Sequence, residues 1–164
     1  MSTEDPAGPA ILCWDGSASA QRAIRQAAKL LGRGRRATVL FAHVPTESAR
    51  GMLAGLSGPD APIMGVTDAE ALLEQGMDIA REAGFDPAPL AVAAERKTAS
   101  IIVETAEEQD AAVIVMGQRG RSALGVALLG SVARDVINSY HRPVILVAPA
   151  GSDPESAAPA RPVG

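Results

Sequence analysis

The amino-acid sequence predicts an α/β protein, a doubly wound α/β/α sandwich with a five-stranded parallel sheet. Short apolar runs alternate with segments whose apolar residues recur every three or four positions, the patterns of strands and amphipathic helices. Most of these runs are apolar throughout, as expected for strands that helices cover on both faces. A helical segment separates each run from the next, which is the connection that neighbouring parallel strands require.

Turn and breaker residues give the limits of these elements. The predicted strands are residues 10–14, 37–44, 89–95, 111–116 and 143–148. The predicted helices are residues 20–31, 69–83, 100–108 and 131–140. Gly32 is expected to end the first helix and Pro45 the second strand. With right-handed crossovers, this order gives a Rossmann-like sheet with long loops at 45–66 and 117–130.

Composition narrows the classes of function. Aromatic residues make up 2% of the chain, so the core is aliphatic and few rings remain to stack the bases of single-stranded nucleic acid. The net charge of −4 also argues against a nucleic-acid backbone as the main partner. One cysteine and two histidines exclude a disulfide within the chain and metal centres built from these residue types.

Proline- and glycine-rich ends flank what reads as a single domain. We expect residues 1–9 and 149–164 to be flexible tails and residues 10–148 to form the folded domain. No apolar run reaches the roughly 18 residues of a membrane-spanning helix. The first residues also lack the basic and apolar pattern of a signal peptide. We therefore predict a cytoplasmic protein without membrane contact.

Glycines and a serine follow the fourth strand in a pattern suited to phosphate. Gly117, Gly120 and Gly130 allow positive φ and a close approach of the backbone to a ligand. Ser131 is expected to cap the last helix, whose N-terminal N–H groups and partial positive charge suit an anion. Arg119 adds a charged donor. The alternative is a long turn in which the glycines serve backbone geometry alone.

The first and second strands carry residues with more than one possible role. Asp15 before Gly-Ser is either a turn residue that starts a helix or a ligand contact. Trp14 is expected to pack in the core, the alternative being that it narrows a ligand pocket. Cys13 is expected to be a buried, inert thiol. His43 and His141 are expected to be structural, because neither belongs to a motif with a nucleophile and an orienting carboxylate.

Together these motifs resemble the universal stress protein family over residues 10–148. The segment 117–131 reads G-x2-G-x9-G-S, which is similar to the nucleotide-binding pattern of that family, G-x2-G-x9-G-[ST]. Residues 11–17 are similar to its first strand and Asp-Gly-Ser turn, and residues 143–147 to its last strand. The chain departs from the family in having Cys13-Trp14 where small or aliphatic residues are usual.

The resemblance implies a nucleotide-binding fold, usually a homodimer, whose glycine-bearing members bind ATP. By position, it implies Asp15 beside the adenosine and Val44 at the adenine, with Met116 and Gly117 at the ribose and phosphates. It assigns the triphosphate to five residues, Arg119, Gly120, Gly130, Ser131 and Val132. Cys13, next to these strand ends, is included among the nucleotide contacts. Mg²⁺ is expected to be held mainly by phosphate oxygens.

We therefore predict an ATP-binding stress-response regulatory protein that pairs as a homodimer through its last strand. The first alternative is a weak ATPase or an autophosphorylating enzyme, although the sequence offers no obvious general base. The second alternative is a nucleotide-free dimeric interaction module in which the glycines have only a structural role in the loop. In each case the apolar run 143–148 is able to pair across a twofold axis.

Overall fold

The computed structural model describes residues 8–46, 61–119 and 129–150. The expectations for most of both tails, for most of the 45–66 loop and for Gly120 lie outside these ranges. The strands are β1 (Ala10–Trp14), β2 (Arg36–Pro45), β3 (Ile63–Met64), β4 (Asp86–Ala93), β5 (Val113–Gly117) and β6 (Val144–Val147). The helices are α1 (Ala18–Leu31), α2 (Val66–Ala83), α3 (Thr98–Glu108) and α4 (Ser131–Ser139).

Parallel pairing joins the strands into one sheet. The ladders run in the order β4, β2, β1, β5 and β6, and β3 pairs with the last two residues of β2. From β1 the chain winds to β2 on one side and later to β5 on the other, so the direction of winding reverses between β1 and β5. The doubly wound parallel sheet is confirmed, and this reversal is where such sheets bind ligands.

The short strand β3 lies in a stretch predicted to be loop. It consists of Ile63 and Met64 and pairs with Val44 and Pro45 at the end of β2. The Val44 N–H also donates to the Pro62 carbonyl over 2.8 Å. The sheet therefore gains a sixth, two-residue strand, because the chain returns to the end of β2 before α2 begins.

β4 begins at Asp86, three residues before the predicted start at Pro89, and ends at Ala93. The Asp86 N–H donates over 2.9 Å to the carbonyl of Arg35, the residue before β2. Along a strand, the backbone N–H groups point alternately to one neighbouring strand and to the other side. The N–H groups of the even-numbered residues of β4 therefore point toward β2. Pro87 and Pro89 thus face the outer edge, where a missing N–H costs no ladder hydrogen bond.

The sheet separates two apolar clusters. On one face, α1 and α2 cover strand residues such as Leu12, Phe41 and Val115. On the other face, α3 and α4 cover their sequence neighbours, among them Ile11 and Ile114. Because adjacent strand residues enter opposite clusters, both must be apolar, which explains the continuous apolar runs. Among the residues described, no helix is long and apolar enough to cross a membrane.

Trp14 packs in the first cluster, as expected. Its side chain is buried, and its indole N–H donates to the Leu72 carbonyl of α2 over 2.6 Å. The ring also lies against Gly76, where an added Cβ would be 2.8 Å from the indole carbons. α2 therefore approaches β1 this closely because residue 76 has no side chain.

We expect Gly76→Ala to destabilise the protein although it favours the helix. Alanine gains about 1 kcal/mol over glycine within a helix, but overpacking against Trp14 costs about 1–3 kcal/mol. The net loss of unfolding free energy is expected to reach about 2 kcal/mol, measured by urea unfolding followed by Trp14 fluorescence. The exposed neighbour Gln75→Ala is the matched control. Equal unfolding midpoints for the two variants would contradict the contact.

Candidate functional site

The candidate site lies at the reversal of winding, at the carboxyl ends of β1 and β5. The ladder between these strands ends at Leu12 and Val115, and both strands continue for two further residues. A crevice thus opens between the two strand ends. Residues 15–17 follow β1 and residues 117–119 end and follow β5, so these two segments border the crevice.

Asp15 forms the turn that starts α1. Its Oδ1 accepts the N–H of Ser17 over 2.9 Å. Ser17 Oγ in turn accepts the N–H of Ala20 over 3.1 Å and caps the helix. Gly16 has a φ of 78°, in the left-handed region that favours glycine. The turn role of Asp15 is confirmed, and this turn holds its carboxylate beside the crevice, where a ligand contact stays a prediction.

Three predicted nucleotide contacts share the face of the sheet that α3 and α4 cover. Val44, Cys13 and Met116 lie on the neighbouring strands β2, β1 and β5. Val44 and Met116 are buried, and Cys13 is half-buried. Burial raises the pKa of the Cys13 thiol to about 12, and the charge of Asp15 adds to the rise. The thiol is therefore protonated at neutral pH, in agreement with its expected inertness.

Gly117 packs closely against α1, although its φ does not require glycine. Positive φ was expected at Gly117 and Gly130; this is wrong, since Gly117 is not among the positive-φ glycines and Gly130 has a φ of −60°. An added Cβ on Gly117 would lie 2.2 Å from Ser19 Oγ. The group that approaches this glycine in the structure is therefore the first turn of α1.

The N-cap of α4 is Gly130, so the predicted cap by Ser131 is wrong. Gly130 has extended backbone and no side chain to offer, and Ser131 is the exposed first residue of the helix. The Gly130 N–H donates to the Gln118 carbonyl over 2.9 Å, which joins the start of α4 to the end of β5. The first N–H groups of α4 have no carbonyl one turn earlier in the helix, which suits an anion.

The structure brings most of the predicted residues to one edge of the sheet. Asp15, Val44 and Gly117 end or follow three adjacent strands, and Gly130 joins them through its hydrogen bond to Gln118. Val132 differs, because its side chain is half-buried against the second apolar cluster. Its contribution to a ligand is thereby limited to its backbone.

In the part of the chain that the structure describes, three polar atoms that are buried without a hydrogen-bond partner lie toward this edge. They are Ser19 Oγ on α1, His43 Nδ1 near the end of β2 and Arg119 Nε after β5. The His43 ring stacks on Phe41 with centroids 5.7 Å apart, in keeping with a structural role. Buried polar groups are usually paired, so this edge has the character of a polar ligand site.

Ser19 is the residue of this site that sequence reasoning missed. The sequence signal for Arg119 was its place in the glycine-bearing segment. Ser19 carries no such signal, because its contact with Gly117 arises only when α1 packs over the end of β5. A serine in the first turn of a helix is otherwise an ordinary solvent-facing residue.

Comparison with known proteins gives a family match over most of the chain. The model of the universal stress protein family matches residues 9–148. A universal stress protein of Methanocaldococcus jannaschii is 51% identical over 49 residues, 30% of this chain and 29% of that protein. A universal stress protein of Mycobacterium tuberculosis is 32% identical over 98 residues, 59% of this chain and 29% of that protein. The chain thus matches less than a third of the length of each relative.

Solved structures share the fold. The universal stress protein of Archaeoglobus fulgidus has a TM-score of 0.63 at 29% identity, over 85% of this chain and 97% of that one. A universal stress protein in complex with cAMP has a TM-score of 0.55 at 24% identity, covering 87% of this chain and 98% of that one. A universal stress protein from A. fulgidus in complex with dAMP also has a TM-score of 0.55 at 24% identity, covering 85% of this chain and 96% of that one. Those two proteins bind adenine nucleotides.

We expect the Cys13 thiol to resist alkylation in the folded protein. The rise in its pKa from 9.0 to about 12 lowers the thiolate fraction at pH 8, and labelling by iodoacetamide should slow roughly a thousandfold relative to the unfolded chain. Mass spectrometry of native and urea-unfolded samples measures the ratio. Leu30→Cys, at a position that is 75% exposed, is the control that should label rapidly in the folded state. Equal rates at the two cysteines would overturn the expectation.

Proposed function

Since the chain belongs to the universal stress protein family, we propose that it is a stress-response regulatory protein that binds ATP at the carboxyl edge of its sheet. The junction of β5 with α4 carries this proposal. There the Gly130 N–H donates to the Gln118 carbonyl, and the first turn of α4 has no side-chain cap. Free N–H groups and the helix dipole suit phosphate oxygens. The family match and the relatives that bind cAMP and dAMP support an adenine nucleotide.

We expect the nucleoside to lie across the ends of β2, β1 and β5. Val44 and Met116 have almost no exposed side-chain surface, so we expect them to contact an adenine ring through their backbone, and the half-buried Cys13 thiol to add an apolar contact. The Asp15 carboxylate is an acceptor only, so it suits a donating ribose hydroxyl or adenine amino group. This division gives the base backbone and thiol contacts and the sugar a charged partner.

The phosphates are expected at the other end of the crevice. Arg119 is half-buried with Nε unpartnered, so a charge-assisted bond to a phosphate oxygen would satisfy a buried donor. The first turn of α4, beginning at Ser131, adds backbone N–H groups. Mg²⁺ prefers oxygen ligands and commonly binds substrate phosphates. We therefore expect Mg²⁺ to arrive with the nucleotide and to be held mainly by it, in a protein of the cytoplasm.

ATP with Mg²⁺ should raise the melting temperature of the protein. At a hundredfold excess over Kd, a ligand adds about 2.7 kcal/mol to the folded state, which for a chain of this size is about 5–10 °C. Differential scanning fluorimetry with ATP, ADP, AMP and cAMP measures the shift and the preference among them. Absence of a shift with every adenine nucleotide would remove the binding proposal and favour the nucleotide-free module.

Gly130→Trp should abolish this shift, because an indole at the N-cap fills the space in front of the first turn of α4. The melting temperature without nucleotide is expected to change little, since the side chain starts at a loop position. Ser139→Trp, exposed at the far end of the same helix, is the matched control and should keep the shift. Phosphate release from ATP that Gly130→Trp removes would favour the enzyme alternative instead.

The two edges of the sheet differ in their capacity to accept another strand. In β4, the prolines at 87 and 89 remove two outward N–H donors, a device that blocks edge pairing. At the start and end of β6, the Pro143 and Val147 carbonyls accept hydrogen bonds from Ile114 of β5 and from Gln118, which follows β5. The backbone N–H groups of the even-numbered residues of β6 therefore point outward. The Val144 and Leu146 N–H groups therefore form an edge that no proline interrupts.

We propose that two copies pair through β6. All four residues of this strand are apolar and half-buried. An edge of this kind, left unpaired, is a template for further strand pairing. A twofold axis would place each β6 against its own copy, as isologous dimers require. The prolines of β4 and the unprotected β6 together favour this edge over the opposite one.

Leu146→Pro should convert the dimer to a monomer. The proline removes an N–H that faces outward, so the ladder to β5 keeps its hydrogen bonds while the pairing edge loses a donor. Light scattering coupled to size-exclusion chromatography gives the mass, and circular dichroism checks the fold. Ala91→Pro removes the equivalent outward N–H on β4 and is expected to leave the dimer intact. A dimer that survives Leu146→Pro in a folded protein would rule out this edge.

A further inference from the structure

A contact between α1 and the end of β5 joins the two halves of the site. Ser19 lies in the first turn of α1, against Gly117, the last residue of β5. A Cβ on Gly117 would be 2.2 Å from Ser19 Oγ and 3.0 Å from Ser19 Cβ, and Cβ atoms essentially never come within 3.0 Å of another heavy atom. Ser19 Oγ is buried and has no hydrogen-bond partner. Packing, not hydrogen bonding, therefore holds the serine in place.

The backbone gives no other reason for glycine at this position. Gly117 is not among the positive-φ glycines, in contrast to Gly16, whose φ is 78°. The next N–H, of Gln118, donates to the Val147 carbonyl over 3.0 Å, so the chain here still follows the sheet. An L-residue is thus compatible with the backbone, and the close approach of Ser19, by its Oγ, its Cβ and its carbonyl carbon, is what excludes it.

We infer that Ser19 is a positioning residue of the proposed nucleotide site, acting through Gly117. The inference rests on the proposed function. α1 begins at the Asp15 turn, which is expected beside the nucleoside, and β5 leads through Gln118 to the start of α4, which is expected at the phosphates. The Ser19–Gly117 contact is where these two parts meet. The short distance between Ser19 and Gly117 therefore fixes how far the nucleoside end of the proposed site lies from its phosphate end.

A pair of substitutions tests the contact. Gly117→Ala adds a methyl group that meets Ser19, so the Ser19 hydroxyl must rotate away and α1 must shift from β5 by a few tenths of an ångström. We expect ATP affinity to fall about tenfold, within the range for coupled contact residues, and the melting temperature without nucleotide to fall as well. Adding Ser19→Gly removes both Oγ and Cβ and leaves only the carbonyl carbon of residue 19 at 3.0 Å, so affinity should return to within about threefold of the original. Adding Ser19→Ala, which removes Oγ alone, should give an intermediate value.

Two control variants separate this contact from general effects of glycine. Ala18→Gly introduces glycine at the neighbouring exposed position of the same helical turn. It lies one residue from Ser19, carries the same helix penalty and should not restore Gly117→Ala. Gly130→Ala alters the phosphate side of the site without touching Ser19. Its loss of affinity should persist when Ser19→Gly is added.

Isothermal titration calorimetry for affinity and thermal unfolding for stability make the outcomes distinguishable. Failure of Ser19→Gly to restore ATP affinity in Gly117→Ala would overturn the inference, because the ligand itself would then require the glycine. If the original protein binds no adenine nucleotide, the proposed function fails. The melting temperatures of the original protein, Gly117→Ala, Ser19→Gly and the double variant still report the contact, and additive shifts would overturn it.

Discussion

The parallel pairing of β1 with β2 on one side and β5 on the other is the constraint on which the rest of the structure depends. Ala10, Ile11 and Leu12 of this central strand have no exposed surface. Parallel neighbours need crossover connections, so the chain must leave β1 through α1 and return to its other side much later. The reversal separates the strand ends, and the segments that start α1 and α4 are brought to the same edge.

Most of the fold was predictable because the strands are covered on both faces. Continuous apolar runs separated by helical stripes specify a parallel sheet with two covering layers. The start of β4 was not predictable, because Pro87 and Pro89 are acceptable only on the outward side of an edge strand, and the sequence does not say which side a residue faces. β3 was missed for a similar reason, since Ile63 is a strand residue only through its pairing with Val44.

The site was predictable in place and less so in detail. Asp15 and Gly117 follow or end strands, and the carboxyl ends of parallel strands share an edge, so their proximity follows from the fold class. The cap by Ser131 and the positive φ at Gly117 were wrong because both rested on residue type alone. What Gly117 requires depends on Ser19, a contact between segments about a hundred residues apart that forms only after α1 has packed over β5.

The prolines of β4 have a consequence for assembly. A sheet with two open edges can be extended without end, and such chains are prone to fibrous aggregation. Here one edge lacks two of its outward donors, because residues 87 and 89 are prolines. Strand addition is thus favoured on the β6 side. Once that side is occupied, neither end of the joined sheet offers a regular row of donors, so growth by strand pairing terminates itself.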